Sequence, residues 1–252
     1  MCYYRVGMKI DYRKLHELCF LNREDLYKDK ESVNFDNFST RLGEIENDPF
    51  IGFVGSRYAD TKVRVLFLGK SNAESRLDHQ HKDIRINEYL QNFRDSAENF
   101  ESKYKEYARQ FSDKSSGAFK TWDINQYSVY FRNITRLDVE EIAYANIVPF
   151  RFIGAPENYK IIEGKRRIYE IAFKSFTNKF IEIVKPHQII PLGANLREDA
   201  INRFIDKKDL DIKISEGIFR LVGDKKMKDK GKRTLNNAIQ DYEAKLAELE
   251  QK

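Results

Sequence analysis

Three short apolar runs limit most strongly what this chain can fold into: Val63–Gly69, Ile142–Val148 and His187–Gly193. Each is rich in β-branched or aromatic residues, and each stops at a glycine or against Pro149. Runs of this kind read as strands buried on both faces, which belong to parallel sheets. Between them lie stretches with helical spacing. Ile86, Tyr89, Leu90, Phe93, Phe100, Tyr104 and Tyr107 fall mainly at three- and four-residue intervals within 84–111, and Ile168, Ile171, Ala172, Phe176, Phe180 and Ile183 do so within 165–184. Further helices are expected over 12–21, 127–137, 194–204 and 234–249, the last carrying a stripe of Tyr242, Leu246 and Leu249. Residues 211–214 and 217–223 read as a hairpin or a last pair of strands.

Strands separated by helices make βαβ units with right-handed crossovers and a sheet covered on both sides. The expected fold class is therefore α/β, in three α/β/α layers around a short, mainly parallel central sheet of about four strands. The 252 residues form one domain, with a helical lead-in over 1–60 and an α/β core over 61–252.

Composition excludes several classes. Hydrophobic residues make up 41% of the chain, too many for a disordered one, yet no apolar run reaches the roughly 18–20 residues that span a bilayer. The amino terminus does not read as a signal peptide, so a cytoplasmic, membrane-free protein is expected. Cys2 and Cys19 are too few for a cysteine-ligated metal centre and are expected as free thiols. His79 and His81, flanked by Asp78 and Asp83, lack a committed ligand spacing, so neither metal nor cofactor is expected. Neither a P-loop nor a G-x-G-x-x-G fingerprint is present, which argues against nucleotide hydrolysis. The net charge of +5 is concentrated: over 224–233, Lys225, Lys226, Lys228, Lys230, Lys232 and Arg233 face only Asp224 and Asp229. These residues read as a basic loop, either a solvated face or a grip for a polyanion.

In an open parallel sheet, ligands bind beyond the carboxyl ends of the strands. That rule selects the segments 69–78, 146–156, 193–199 and 223–233. Asn146, at a strand end, carries an amide that donates and accepts and so can choose among bases; alternatively it caps a neighbouring loop. Trp122, the sole tryptophan, offers a face on which a base could stack, or it is core.

The same segments carry a resemblance. Leu68-Gly69-Lys70-Ser71-Asn72-Ala73-Glu74 resembles the first motif of the uracil-DNA glycosylase superfamily, a strand followed by G-Q-D-P-Y or G-I-N-P-G. The run from Ala145 to Arg151 is similar to that family's middle strand, and the run from Lys185 to Gly193 to the strand before its last catalytic segment. Order and spacing agree, and the likeness covers residues 61–252.

The resemblance implies a monomeric, monofunctional DNA glycosylase that flips a base, hydrolyses its N-glycosidic bond and leaves an abasic site. In that family the asparagine matched by Asn146 reads the flipped base. Gly69, Ala73 and Trp122 would join it around the substrate. The family's water-orienting Asp or Asn is replaced by Ser71 and its proline by Asn72, so Ser71 or Asn72 is assigned to the water, with Glu74 and Asp78 as possible bases. Glu74 and Asp78 also fit helix-start or loop solvation. Ala73 stands where the family often has a tyrosine that excludes substituents on pyrimidine carbon five, which implies a bulkier base, such as a hydroxymethylated or glucosylated cytosine of phage DNA. No histidine follows Gly193 to match the family's H-P-S motif. Arg151 would contact the DNA backbone or is simply exposed, and the basic residues over 225–233 would neutralise the departing base or grip phosphates flanking the extruded nucleotide, with Met227 as a wedge in the vacated stack or a plain loop residue. Loss of the acid and the histidine leaves a second reading open, a nucleic-acid or nucleotide binder of the same fold that has lost catalysis. A third reading makes the last helix a partner surface.

Overall fold

The structure is a computed structural model that describes residues 8–21, 49–69, 93–94, 97–112, 135–149, 168–192, 201, 203–205, 211–218 and 225–251. A short helix α1 (Tyr12–Glu17) opens it, and the Asp11 side chain accepts from the Lys14 backbone N–H to cap its free first turn. Strand β1 (Phe53–Val54) precedes the central strand β2 (Val65–Gly69). Helix α2 (Phe100–Ser112) then leads to β3 (Ile142–Asn146). Next comes a continuous helical run made of α3 (Ile168–Ala172), a π-helical segment (Phe173–Thr177) and α4 (Asn178–Val184). Lys185 ends that run in a left-handed conformation at φ 43°, and β4 (Gln188–Pro191) follows. The edge strand β5 (Lys213–Ile214) and the long helix α5 (Lys225–Glu250) complete the order.

The five strands form one sheet in the order β1-β3-β2-β4-β5. β2 is parallel to both its neighbours, β4 is parallel to β5, and β1 runs antiparallel along β3. The α/β expectation holds at that level, with five strands among the described residues where about four were expected. Of the hairpin or last pair of strands expected over 211–214 and 217–223, residues 213–214 and 218 each pair with the β4 strand, and 219–223 lie outside the described residues. Lys213 and Ile214 pair in parallel with Gln188 and Ile189, and Ile218 pairs in parallel with Leu192 farther along the same strand. One interrupted edge strand follows β4, and the extra residue on its side is taken up between the two contacts.

Every residue of β2 and β3 is buried. Successive side chains of a strand point to opposite faces, so both faces of the sheet centre are covered. Gln188 donates to the Ala238 carbonyl at 2.8 Å and so places α5 over one face. Of the expected helical stripe, Phe93, Phe100, Tyr104 and Tyr107 are buried and meet edge to face or tilted, with ring centroids 5.4–6.0 Å apart, while Ile86, Tyr89 and Leu90 lie outside the described residues. Tyr242 is buried on α5 and Leu246 and Leu249 pack against the core, so the stripe of the last helix faces inward. Cys19 is a buried free thiol whose pKa is pushed up to about 12, chiefly by burial. No helix among the described residues is long and apolar enough to cross a membrane.

Candidate functional site

The parallel register pairs Gly69 with Asn146 at the carboxyl ends of the two central strands. Tyr144 and Asn146 lie two residues apart on β3, so their side chains share a face. The Tyr144 hydroxyl donates to Asn146 Oδ1 at 2.7 Å, and Asn146 is only 1% exposed. The carboxamide lies across Gly69. A Cβ there would collide with Asn146 Oδ1 and stand 2.8 Å from the Tyr144 hydroxyl. The glycine that ends β2 is therefore needed for the close approach of a neighbouring side chain and not for an unusual backbone angle.

The segment after Asn146 is held from two sides. The Ile147 N–H donates to the Gly69 carbonyl at 2.9 Å, and the Ile147 carbonyl accepts from the buried Thr177 hydroxyl at 2.9 Å. Thr177 is the last residue of the π-helical segment, so the irregular turn lies where the helical run meets the strand end. Tyr144 completes this arrangement from below, its ring tilted against Phe50 with centroids 5.8 Å apart.

The basic run does not form a loop. Lys225, Lys226, Lys228, Lys230, Lys232 and Arg233 occupy the first turns of α5, which starts nine residues earlier than the apolar pattern indicated. These side chains are exposed, whereas Gly231, Thr234, Leu235 and Ala238 are buried on the opposite arc of the helix. Arg233 pairs with Glu216 at 3.5 Å. Met227 lies within the helix rather than in a loop.

Helix α5 runs antiparallel to β4 and β5. Lys62, before β2, meets Glu250; Asp211, before β5, meets Lys245; and Glu216, beyond β5, meets Arg233 and Asn237. A strand advances about 3.3 Å per residue and a helix about 1.5 Å, so counting back from Ala238 brings the helix level with the end of β4 near residue 231. The first basic turns thus stand at and beyond the same end of the sheet as Gly69 and Asn146.

Of the residues selected from sequence, the structure sets Gly69 beside Asn146 and strings the basic residues along one helix. Ser71, Asn72, Ala73, Glu74, Asp78, Trp122 and Arg151 lie outside the described residues, as do His79, His81 and Asp83. Tyr144 was missed. The period of two along a strand could have found it, since a tyrosine two places before a strand-end asparagine shares its face. Compared with models of known protein families and with curated protein sequences, the chain matches none.

Proposed function

We propose that this chain is a DNA glycosylase that hydrolyses the N-glycosidic bond of a modified base, a 5-substituted cytosine being the leading substrate, and leaves an abasic site. The observation that carries the reading is the juxtaposition of Gly69 and Asn146 at the carboxyl ends of adjacent central strands, where open parallel sheets bind ligands. The basic turns of α5 at the same end of the sheet support it, since a cationic helix end there suits phosphates flanking an extruded nucleotide. On this reading Asn146 contacts the base, and Ser71, Asn72, Glu74 and Asp78 follow β2 in the segment that activates or positions water.

A second reading has one observation in its favour. Asn146 is buried and its oxygen is bonded to Tyr144, the arrangement of an amide that braces a strand end. On that reading the fold binds nucleic acid without cleaving it.

Incubation with end-labelled DNA carrying uracil, hydroxymethylcytosine, glucosylated hydroxymethylcytosine or ordinary bases, followed by alkali, separates the two. Strand breaks at one modified base, lost in Asn146→Ala, are expected of the glycosylase. Binding without alkali-labile sites on any substrate would leave the binder.

A further inference from the structure

Resting on the reading that nucleic acid binds at the carboxyl end of the sheet, we infer that Arg233 and Asn237 form a phosphate-binding pair, which Glu216 occupies until a strand displaces it. Glu216 is thereby an internal competitor that weakens DNA binding. The two donors lie four residues apart on α5, so they share a face one turn apart. Both reach the same carboxylate: Asn237 Nδ2 donates to Oε2 at 3.1 Å, and the Arg233 guanidinium stands 3.5 Å from Oε1. One donor to each oxygen is also how two side chains hold the two free oxygens of a phosphodiester. An anion of the fold itself marks where an anion of a ligand fits.

The competitor is mounted firmly and held loosely. Its chain neighbours are fixed: the buried Ser215 donates through its N–H to the Ile189 carbonyl at 3.0 Å and through its hydroxyl to Asp241 at 2.8 Å, and the Ile218 N–H donates to the Pro191 carbonyl at 2.8 Å. The carboxylate therefore stays beside the ends of β4 and β5. Its hold on Arg233 is weak, since 3.5 Å exceeds the roughly 2.7–2.9 Å of a charge-assisted hydrogen bond, and the Arg233 and Glu216 side chains are 63% and 40% exposed. Exposed pairs of this kind contribute little to stability and are screened by salt. A phosphate that makes a two-pronged contact with Arg233 replaces the carboxylate, which swings into water. Lys232 and Arg233 are also the two of the six cations most nearly level with the strand ends, so Glu216 restrains one of the charges closest to the site.

Binding of a short fluorescent oligothymidine strand, followed by anisotropy over a range of salt, tests this with four proteins: the full chain, Glu216→Gln, Arg233→Gln and the double variant. Glutamine keeps the shape of Glu216 and can still accept from Asn237, but it carries no charge for the guanidinium. Both side chains are partly exposed, so the variants are expected to keep the fold, which thermal melts check. Glu216→Gln is expected to bind about three- to fivefold more tightly at low salt, the worth of an exposed ion pair, and the gain should shrink as salt rises. Arg233→Gln is expected to bind more weakly than the full chain. Adding Glu216→Gln to it should change binding by less than about twofold, because no guanidinium remains to be released.

Unchanged or weaker binding by Glu216→Gln overturns the inference. So does an equal gain in the Arg233→Gln background, which would make Glu216 one more charge in a general field. If neither the unaltered chain nor Glu216→Gln binds the strand at low salt, the nucleic-acid reading itself falls and takes this inference with it. That pattern differs from binding that ignores Glu216.

Discussion

The two ends of the sheet handle charge in opposite ways. At the amino end, opposite charges are paired: Lys62 meets Glu250 at 2.8 Å, and Lys245 meets Asp211 from before β5 and, within α5, Glu248 at 2.9 Å. Burial alone would lower the Lys245 pKa, but its hydrogen bonds to Asp211 and Glu248 raise it, so this buried ammonium stays charged. At the carboxyl end, six cations stand on the first turns of α5, where the helix dipole is positive, against Asp229 in the second turn and Glu216, which pairs with Arg233; no acid lies in the first turn. Like charges three and four residues apart, such as Lys226 and Lys230, add repulsion. One end is arranged to hold the fold together. The other accumulates a field that a polyanion would relieve, next to an amide held over a glycine.

The largest effect expected from breaking this contrast is at Gly69. In Gly69→Val the side chain must displace the Asn146 carboxamide and the Tyr144 hydroxyl, and overpacking of that kind should cost about 3 kcal/mol, read as a lower urea midpoint at unchanged slope. A variant as stable as the parent would show that the amide does not occupy that space.

The amino end should reveal itself through pH. His187 is half-buried, and burial, then the positive charges of Arg64 and Lys245, depress its pKa to about 4. Arg64 donates to Nδ1 through its backbone N–H at 3.2 Å, and its guanidinium lies 2.9 Å from Nε2, so the surroundings favour the uncharged ring. The unfolded chain, titrating near 6.5, takes up the proton more readily than the folded one. This contribution is therefore fully present above about pH 6.5 and is lost as pH falls toward 4. Thermal melts of His187→Gln should show a shallower loss of stability across that window. Parallel curves for parent and variant would remove His187 from the account.

The smallest effect carries two signs. Lys226→Glu places an acid in the first turn of α5 and should stabilise the protein by about 0.3–1 kcal/mol, while weakening DNA binding most at low salt. A variant that is more stable and binds DNA as well as the parent would reduce the basic turns to a solvated face.

The sequence was most legible where burial is uniform. Val65–Gly69, Ile142–Asn146 and Gln188–Pro191 are apolar on both faces, and so their runs stood out before the register was known. β1 escaped because two residues carry no period; β5 was expected as a strand within 211–214, but its parallel pairing is decided by β4 and not by the segment itself. The start of α5 was hidden because its first turns are mainly charged and Gly231, buried there, is too small to register as part of a hydrophobic stripe. Gly231 also reads as a helix breaker, although Lys and Arg are good helix formers. The π-helical segment depends on the fit of Thr177 to the Ile147 carbonyl across 30 residues of chain, which no local pattern encodes. At the site, the pairing of Gly69 with Asn146 was inferable from strand ends. The hold of Tyr144 on the amide required the side chains to be seen.

The most direct test of the central claim, that the carboxyl end of the sheet is the nucleic-acid end, is backbone hydrogen exchange with and without a short single-stranded DNA. The account predicts slower exchange in the first turns of α5 and around Asn146–Ile147, with the Lys62–Arg64 and Lys185–His187 segments unchanged. Protection confined to the amino-end segments, or none at DNA concentrations that saturate binding, would contradict it.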